Sequence, residues 1–67
     1  MKDSNDIRIA LVKERKAKRI KQTVVSKHIG ITPASLSRYE SGRTEMGLDK
    51  VLRYADSLGL KFQLVLK

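Results

Sequence analysis

The segment from Gln22 to Gly42, QTVVSKHIGITPASLSRYESG, constrains this chain more than any other stretch of its 67 residues. Two short runs with helical periodicity lie on either side of a tight corner. Gly30 falls where a helix needs a left-handed terminal residue, a conformation glycine adopts without a Cβ penalty. Thr32-Pro33 follows. The residue before a proline is pushed out of the helical region, which suits an N-cap, and the threonine hydroxyl can accept a first-turn amide. Proline is well tolerated at the first helical position. The spacing predicts helices over 22–29 and 33–40, with Gly42 opening a polar loop through Arg43, Thr44 and Glu45.

The two helices differ in what they leave outside. In the first, Val25 and Ile29 form an inward pair, Ser26 is small enough for close approach of a neighbouring helix, and Ile31 points back to the core. In the second, Leu36 and Tyr39 go inward. Pro33, Ala34, Ser35, Ser37 and Arg38 are left wholly or partly outside, where a second apolar stripe is absent. Small polar residues and an arginine on an outward helix face suit the major groove of DNA. The formal charge of +8 and the pI near 10.2 point the same way. Lys13, Arg15, Lys16, Lys18, Arg19, Lys21 and Lys27 cluster beside the helix pair, opposed locally by Glu14. Such a field attracts polyanions, nucleic acid before anionic membrane. The alternative is a solvated face that only maintains solubility.

Around this centre the periodicity predicts a first helix over about 6–18, with Ser4, Asn5 and Asp6 as N-cap candidates. Ile7, Ala10 and Leu11 share a face, and Arg15 prolongs it, which calls for a carboxylate partner. Leu48, Val51, Leu52, Ala55 and Leu58 trace an amphipathic fourth helix that Gly59 ends. From Leu60 the period changes: Phe62, Leu64 and Leu66 alternate with Lys61, Gln63, Val65 and Lys67, as in a strand. The expected fold is therefore all-α, a compact bundle of four to five helices, plus a C-terminal β-strand. The expected division is a flexible N-terminus over residues 1–5, the helical domain over 6–59 and the strand over 60–67. A lone apolar strand leaves backbone groups unpaired, so it either pairs with a twofold mate through Phe62, Leu64 and Leu66 or packs on the fourth helix of its own chain.

The absence of cysteine removes disulfides and thiolate zinc sites. A chain of this size buries only about 60% of its unfolded surface, which favours oligomerisation as a source of stability. His28 is the sole histidine, and there is no acidic pair at a catalytic spacing, so neither catalysis, a cofactor nor a metal is expected. His28 is expected on the outer face of the second helix. The polar start Lys2-Asp3-Ser4-Asn5-Asp6 is unlike a signal peptide, and no apolar run approaches a membrane span, so a cytoplasmic location is expected.

So aligned, the chain resembles the Cro/repressor (Xre) helix-turn-helix family from about Ile7 to Leu60. The resemblance rests on Gln22, Ser26, Gly30 and Leu36, followed by Ser37-Arg38-Tyr39-Glu40-Ser41-Gly42-Arg43, which looks like the family's Ser-x-x-Glu-x-Gly-Lys/Arg signature. Three departures stand out: Arg19 replaces the usual turn glycine, Lys21 a small capping residue, and Val24 a residue that is often polar; the first two make a first corner less regular than usual the expectation. The resemblance implies an ion pair between Arg15 and Glu40. It further implies that the helix over 33–40 enters the major groove, with Pro33, Ala34, Ser35, Ser37 and Arg38 at the bases. Gln22, Lys21, Lys27, Thr32, Arg43 and Thr44 would then hold phosphates. The partners implied are double-stranded DNA with an inverted-repeat operator and a second copy of the chain. The Leu58–Leu64 ending resembles the HipB-like antitoxin branch, which implies autoregulation and binding of a kinase-like toxin protein. A stand-alone, phage-type or controller regulator, or an RNA-tolerant binder driven by charge alone, remains open.

Overall fold

The computed structural model describes residues 4–60, in which four helices follow one another: α1 (Ser4–Ala17), α2 (Gln22–Ile29), α3 (Pro33–Glu40) and α4 (Leu48–Ser57). Among the described residues there is no strand. The expected C-terminal strand, with Phe62, Leu64 and Leu66, lies outside them, as do residues 1–3.

The local signals around the corner act as their chemistry requires. The Thr32 Oγ1 accepts the Ser35 N–H at 3.1 Å, from a backbone held at φ −76° and ψ 155°. Gly30 takes φ +92°, and the N–H groups of Gly30 and Ile31 both reach the Ser26 carbonyl, at 2.8 and 3.0 Å. Lys21 caps α2 with an extended backbone but without a side-chain bond. α1 begins at Ser4, two residues ahead of the expected start, so Asp6 lies in its first turn instead of capping it.

The other end of α1 corrects the sequence expectation. An irregular corner was expected where Arg19 replaces glycine, yet the turn is regular. Arg19 adopts φ 57°, its N–H donates to the Lys16 carbonyl at 3.1 Å, and the Ile20 N–H donates to the Arg15 carbonyl at 3.1 Å. The paired closure is a Schellman motif, normally built on glycine. The hydrogen bonds are the same; only the Cβ strain differs, about 1–2 kcal/mol for a non-glycine residue.

One core unites the four helices: Leu11 from α1, Val25 and Ile29 from α2, Leu36 and Tyr39 from α3, Tyr54 and Ala55 from α4, and Leu58 just beyond it. The rings of Tyr39 and Tyr54 meet edge to face, 6.3 Å apart and inclined at 60°. Ser26 is buried, and its Oγ donates to the Thr23 carbonyl at 3.1 Å, which satisfies the hydroxyl where the helices close together. Two members of the expected apolar stripes lie elsewhere. Ala10 is exposed, and Leu48, in the first turn of α4, is 60% exposed. Tyr54, absent from the expected stripe, is fully buried.

Replacing Arg19 with glycine removes the Cβ strain but adds freedom to the unfolded chain. The balance is a gain of about 0.5–1 kcal/mol, measurable as a higher denaturation midpoint with unchanged helix content. A loss of stability would mean that the Arg19 side chain makes contacts outweighing its backbone strain.

Candidate nucleic-acid interface

The outward face of α3 is polar and open. Pro33, Ala34, Ser37 and Arg38 are exposed, while Ser35 is half-buried. The Thr32 hydroxyl donates to Ser35 Oγ at 3.0 Å while accepting the Ser35 amide, so its single proton is taken up within the first turn. Ser35 keeps its own hydroxyl proton for an outside acceptor. Past the end of α3, the Arg43 N–H donates to the Arg38 carbonyl at 2.9 Å, which ties the loop carrying the exposed Arg43 and Thr44 to the helix.

The inner end of α3 is held by the carboxylate of Glu40. Arg15 Nε donates to Glu40 Oε2 at 2.8 Å, and Arg15 Nη2 donates to Oε1 at 2.9 Å. Gln22 Nε2 donates to Oε1 at 2.7 Å, and the Tyr54 hydroxyl donates to Oε2 at 2.5 Å. Each carboxylate oxygen thus accepts two bonds, and the four participants come one from each helix. The third guanidinium nitrogen, Nη1, donates to the Ile20 carbonyl at 2.9 Å. Arg15 is only 8% exposed, and among the described residues no buried side-chain nitrogen or oxygen lacks a partner.

Burial alone would raise the Glu40 carboxyl, but the hydrogen bonds from Arg15, Tyr54 and Gln22 outweigh it and hold the group below the ordinary carboxylate range. Burial also disfavours charge on Arg15, yet Glu40 raises its pKa above the ordinary arginine value. For Tyr54, burial and the bond to Glu40 both push the phenol upward, so it remains a donor.

Several expected site residues have partners within the fold. One amide proton of Gln22 goes to Glu40, which leaves its second proton and its carbonyl outside that bond. In the basic cluster, Arg15 belongs to the buried network, and Lys18 Nζ donates to the Leu58 carbonyl at 2.5 Å, closing the end of α4. Lys13, Lys16, Arg19, Lys21 and Lys27 are exposed, as are Arg38 and Arg43. His28 is exposed on α2 and pairs with Asp56 of α4, Nε2 to Oδ2 at 2.9 Å.

Tyr54, Arg8 and Arg53 were not singled out in the sequence. Arg8 Nη1 donates to the Glu40 carbonyl at 3.0 Å, and Arg53 Nη1 donates to the Ile29 carbonyl at 3.3 Å. The available signal for Tyr54 was its place on the same face of the helix as Leu58, together with a hydroxyl that must find an acceptor when buried. The arginines gave no local signal, since their acceptors are the ends of helices remote in sequence.

Among the described residues, no group of histidine, cysteine, aspartate and glutamate is arranged to hold a metal ion, and no helix is long and apolar enough to cross a membrane. The sequence matches the helix-turn-helix family over residues 11–65. No curated protein and no solved structure matches the chain.

Glu40→Ala leaves Arg15 buried without its counter-charge and is expected to cost about 3–5 kcal/mol in denaturant unfolding. Tyr54→Phe removes one bond to a charged acceptor and is expected to cost about 1.5–3 kcal/mol. Because the folded-state pKa of Glu40 is lowered, its contribution is fully present above the unfolded value of about 4.3 and is lost as pH falls through the lower folded value. Stability measured from pH 6 down to 3 should therefore decline more steeply in the native chain than in Glu40→Gln, as about 6 and 3 bracket the carboxylate range. Parallel curves would rule out a lowered Glu40.

Proposed function

We propose that this chain, a DNA-binding transcription regulator that belongs to the helix-turn-helix family, is a sequence-specific repressor that acts as a twofold dimer on an inverted-repeat operator. The observation that carries the proposal is the outward face of α3: Pro33, Ala34, Ser37 and Arg38 stand in solvent on a helix whose far end is fixed by the Glu40 network. A rigid, polar, arginine-bearing helix is what a major groove accepts.

In this proposal α3 enters the major groove with its N-terminal end nearest the bases. Arg38 reads guanine through O6 and N7, worth about 1–3 kcal/mol of discrimination. Pro33 and Ala34 meet thymine methyls, and Ser35 and Ser37 donate to base edges or phosphate. Lys21, Lys27, Arg43 and Thr44 hold phosphates, joined by the free amide proton of Gln22. Thr32 acts through its backbone and its cap. Two such helices about 34 Å apart would meet successive major grooves on one side of a duplex.

A second level of the proposal concerns partners. The alternation of Phe62, Leu64 and Leu66 suits pairing of C-terminal strands between two copies, and its likeness to antitoxin tails supports an antitoxin that binds a kinase-like toxin and represses its own operon. A stand-alone regulator needs the same DNA face and no toxin. Recovery from the native host separates the two, because an antitoxin brings down a stoichiometric partner. The operator site implies a nucleoid-associated, cytoplasmic protein.

If each protomer neutralises about four phosphates, log K against log[salt] should have a slope of about −7. Arg38→Ala should relax base preference and leave that slope nearly unchanged, whereas Arg43→Ala should weaken all duplexes alike and make the slope shallower by about 1–2 per dimer. Equal losses for Arg38→Ala on an enriched duplex and on random duplex would remove Arg38 from the base-reading set.

A further inference from the structure

We infer that Arg8 is a positioning residue of the DNA interface, holding the C-terminal end of α3 and thereby setting the angle at which that helix meets a duplex. The inference rests on α3 being the helix that enters DNA.

Glu40 is gripped twice from α1. Arg15 takes its side-chain carboxylate, and Arg8, two turns earlier on α1, takes its main-chain carbonyl through Nη1 at 3.0 Å. A carbonyl in the last turn of a helix has no intrahelical partner and carries the negative end of the helix dipole, so a guanidinium satisfies both needs. The other terminal nitrogen of Arg8 donates to Asn5 Oδ1 at 3.3 Å, which fixes the plane of the group. The guanidinium also lies over Gly42: a Cβ built there would stand 3.3 Å from both Cζ and Nη2. Gly42 has φ +83°, so the residue that turns the chain out of α3 also makes room for Arg8.

The carboxylate network and the buried Leu36 and Tyr39 hold the body of α3, but none of them holds its last peptide unit. The carboxylate and the carbonyl of Glu40 project differently from the helix, and fixing both removes the freedom that remains at that end. The lever matters, because eight helical residues span about 12 Å, and a 10° tilt at one end moves the other by about 2 Å. Hydrogen bonds to base edges tolerate about 0.5 Å. Arg43 leaves the end of α3 immediately after Gly42, so the same clamp steadies the loop that carries Arg43 and Thr44. Both terminal nitrogens of Arg8 have protein acceptors, the part-buried Glu40 carbonyl and the exposed Asn5 side chain, and Arg8 itself is half-buried, which distinguishes it from the exposed cations around it.

The test uses the full chain, a duplex enriched by the native protein from a random-sequence pool, and a random-sequence duplex. Arg8→Met keeps the aliphatic stem and removes the donors; Arg8→Lys keeps the charge. Arg8→Met is expected to weaken binding to the enriched duplex about tenfold and to random duplex less than about twofold, with the salt slope unchanged. Arg8→Lys should fall between Arg8→Met and the native chain. In the free protein, hydrogen exchange at the Gly42 and Arg43 amides should accelerate about tenfold in Arg8→Met, while Val25 and Ile29 keep their protection. Equal losses on both duplexes with a shallower slope would make Arg8 a phosphate contact and overturn the inference. So would unchanged discrimination, or acceleration spread evenly over the core amides. If the native protein enriches no duplex at all, the DNA-binding proposal fails instead, and exchange at Gly42 and Arg43 still decides whether Arg8 holds the end of α3.

Discussion

Glu40 is the one residue on which all four helices converge. Its carboxylate is taken by Arg15 of α1, Gln22 of α2 and Tyr54 of α4, while its own backbone ends α3. A carboxylate removed from water is costly unless each of its lone pairs is met, and four donors meet them here. The geometry is demanding: displacing any helix by an ångström breaks a charged hydrogen bond that water is not placed to replace. Apolar contacts tolerate sliding, but this cluster does not. It therefore fixes how the helices are registered, whatever share of net stability it supplies.

The same need to satisfy polar groups explains where much of the positive charge goes. Arg8 reaches the end of α3, Arg53 the end of α2 and Lys18 the end of α4, each from another part of the chain. Short helices have a high proportion of unpaired carbonyls, since every helix leaves about four regardless of its length. Long cationic side chains meet these groups at the pole of the helix dipole that favours them. In a small protein without disulfides, such caps join elements that a modest core alone would hold loosely. The net charge of +8 thus serves two ends, with one set of cations binding the fold and another left in solvent.

Much of the fold was legible because its signals are local. Gly30, Thr32 and Pro33 specify backbone conformations within a turn of themselves, and the bounds of α2 and α3 follow from them. The pairing of Arg15 with Glu40 came from resemblance, since nothing local links residues that far apart. Tyr54 and Arg8 escaped notice for the same reason. Leu48 misled because periodicity identifies a helical face but not how far along the helix its neighbour extends. Arg19 misled in the opposite sense: its sequence suggests a disturbed corner, yet the bonds of the surrounding turn and the placement of Ile20 hold it in the left-handed region.

By itself, then, the chain determined that two short helices meet at a glycine corner, that the second bears a polar outward face, and that cations outnumber anions. These are properties of dihedral preference, side-chain period and net charge, each set within a few residues or by simple counting. The tertiary structure decided which cations remain free for a polyanion, which hydroxyl completes the Glu40 cluster, and how firmly the end of α3 is held. Those outcomes depend on donors and acceptors brought together from distant parts of the chain, and hydrogen bonding is too sensitive to distance and angle for spacing along a sequence to foretell it.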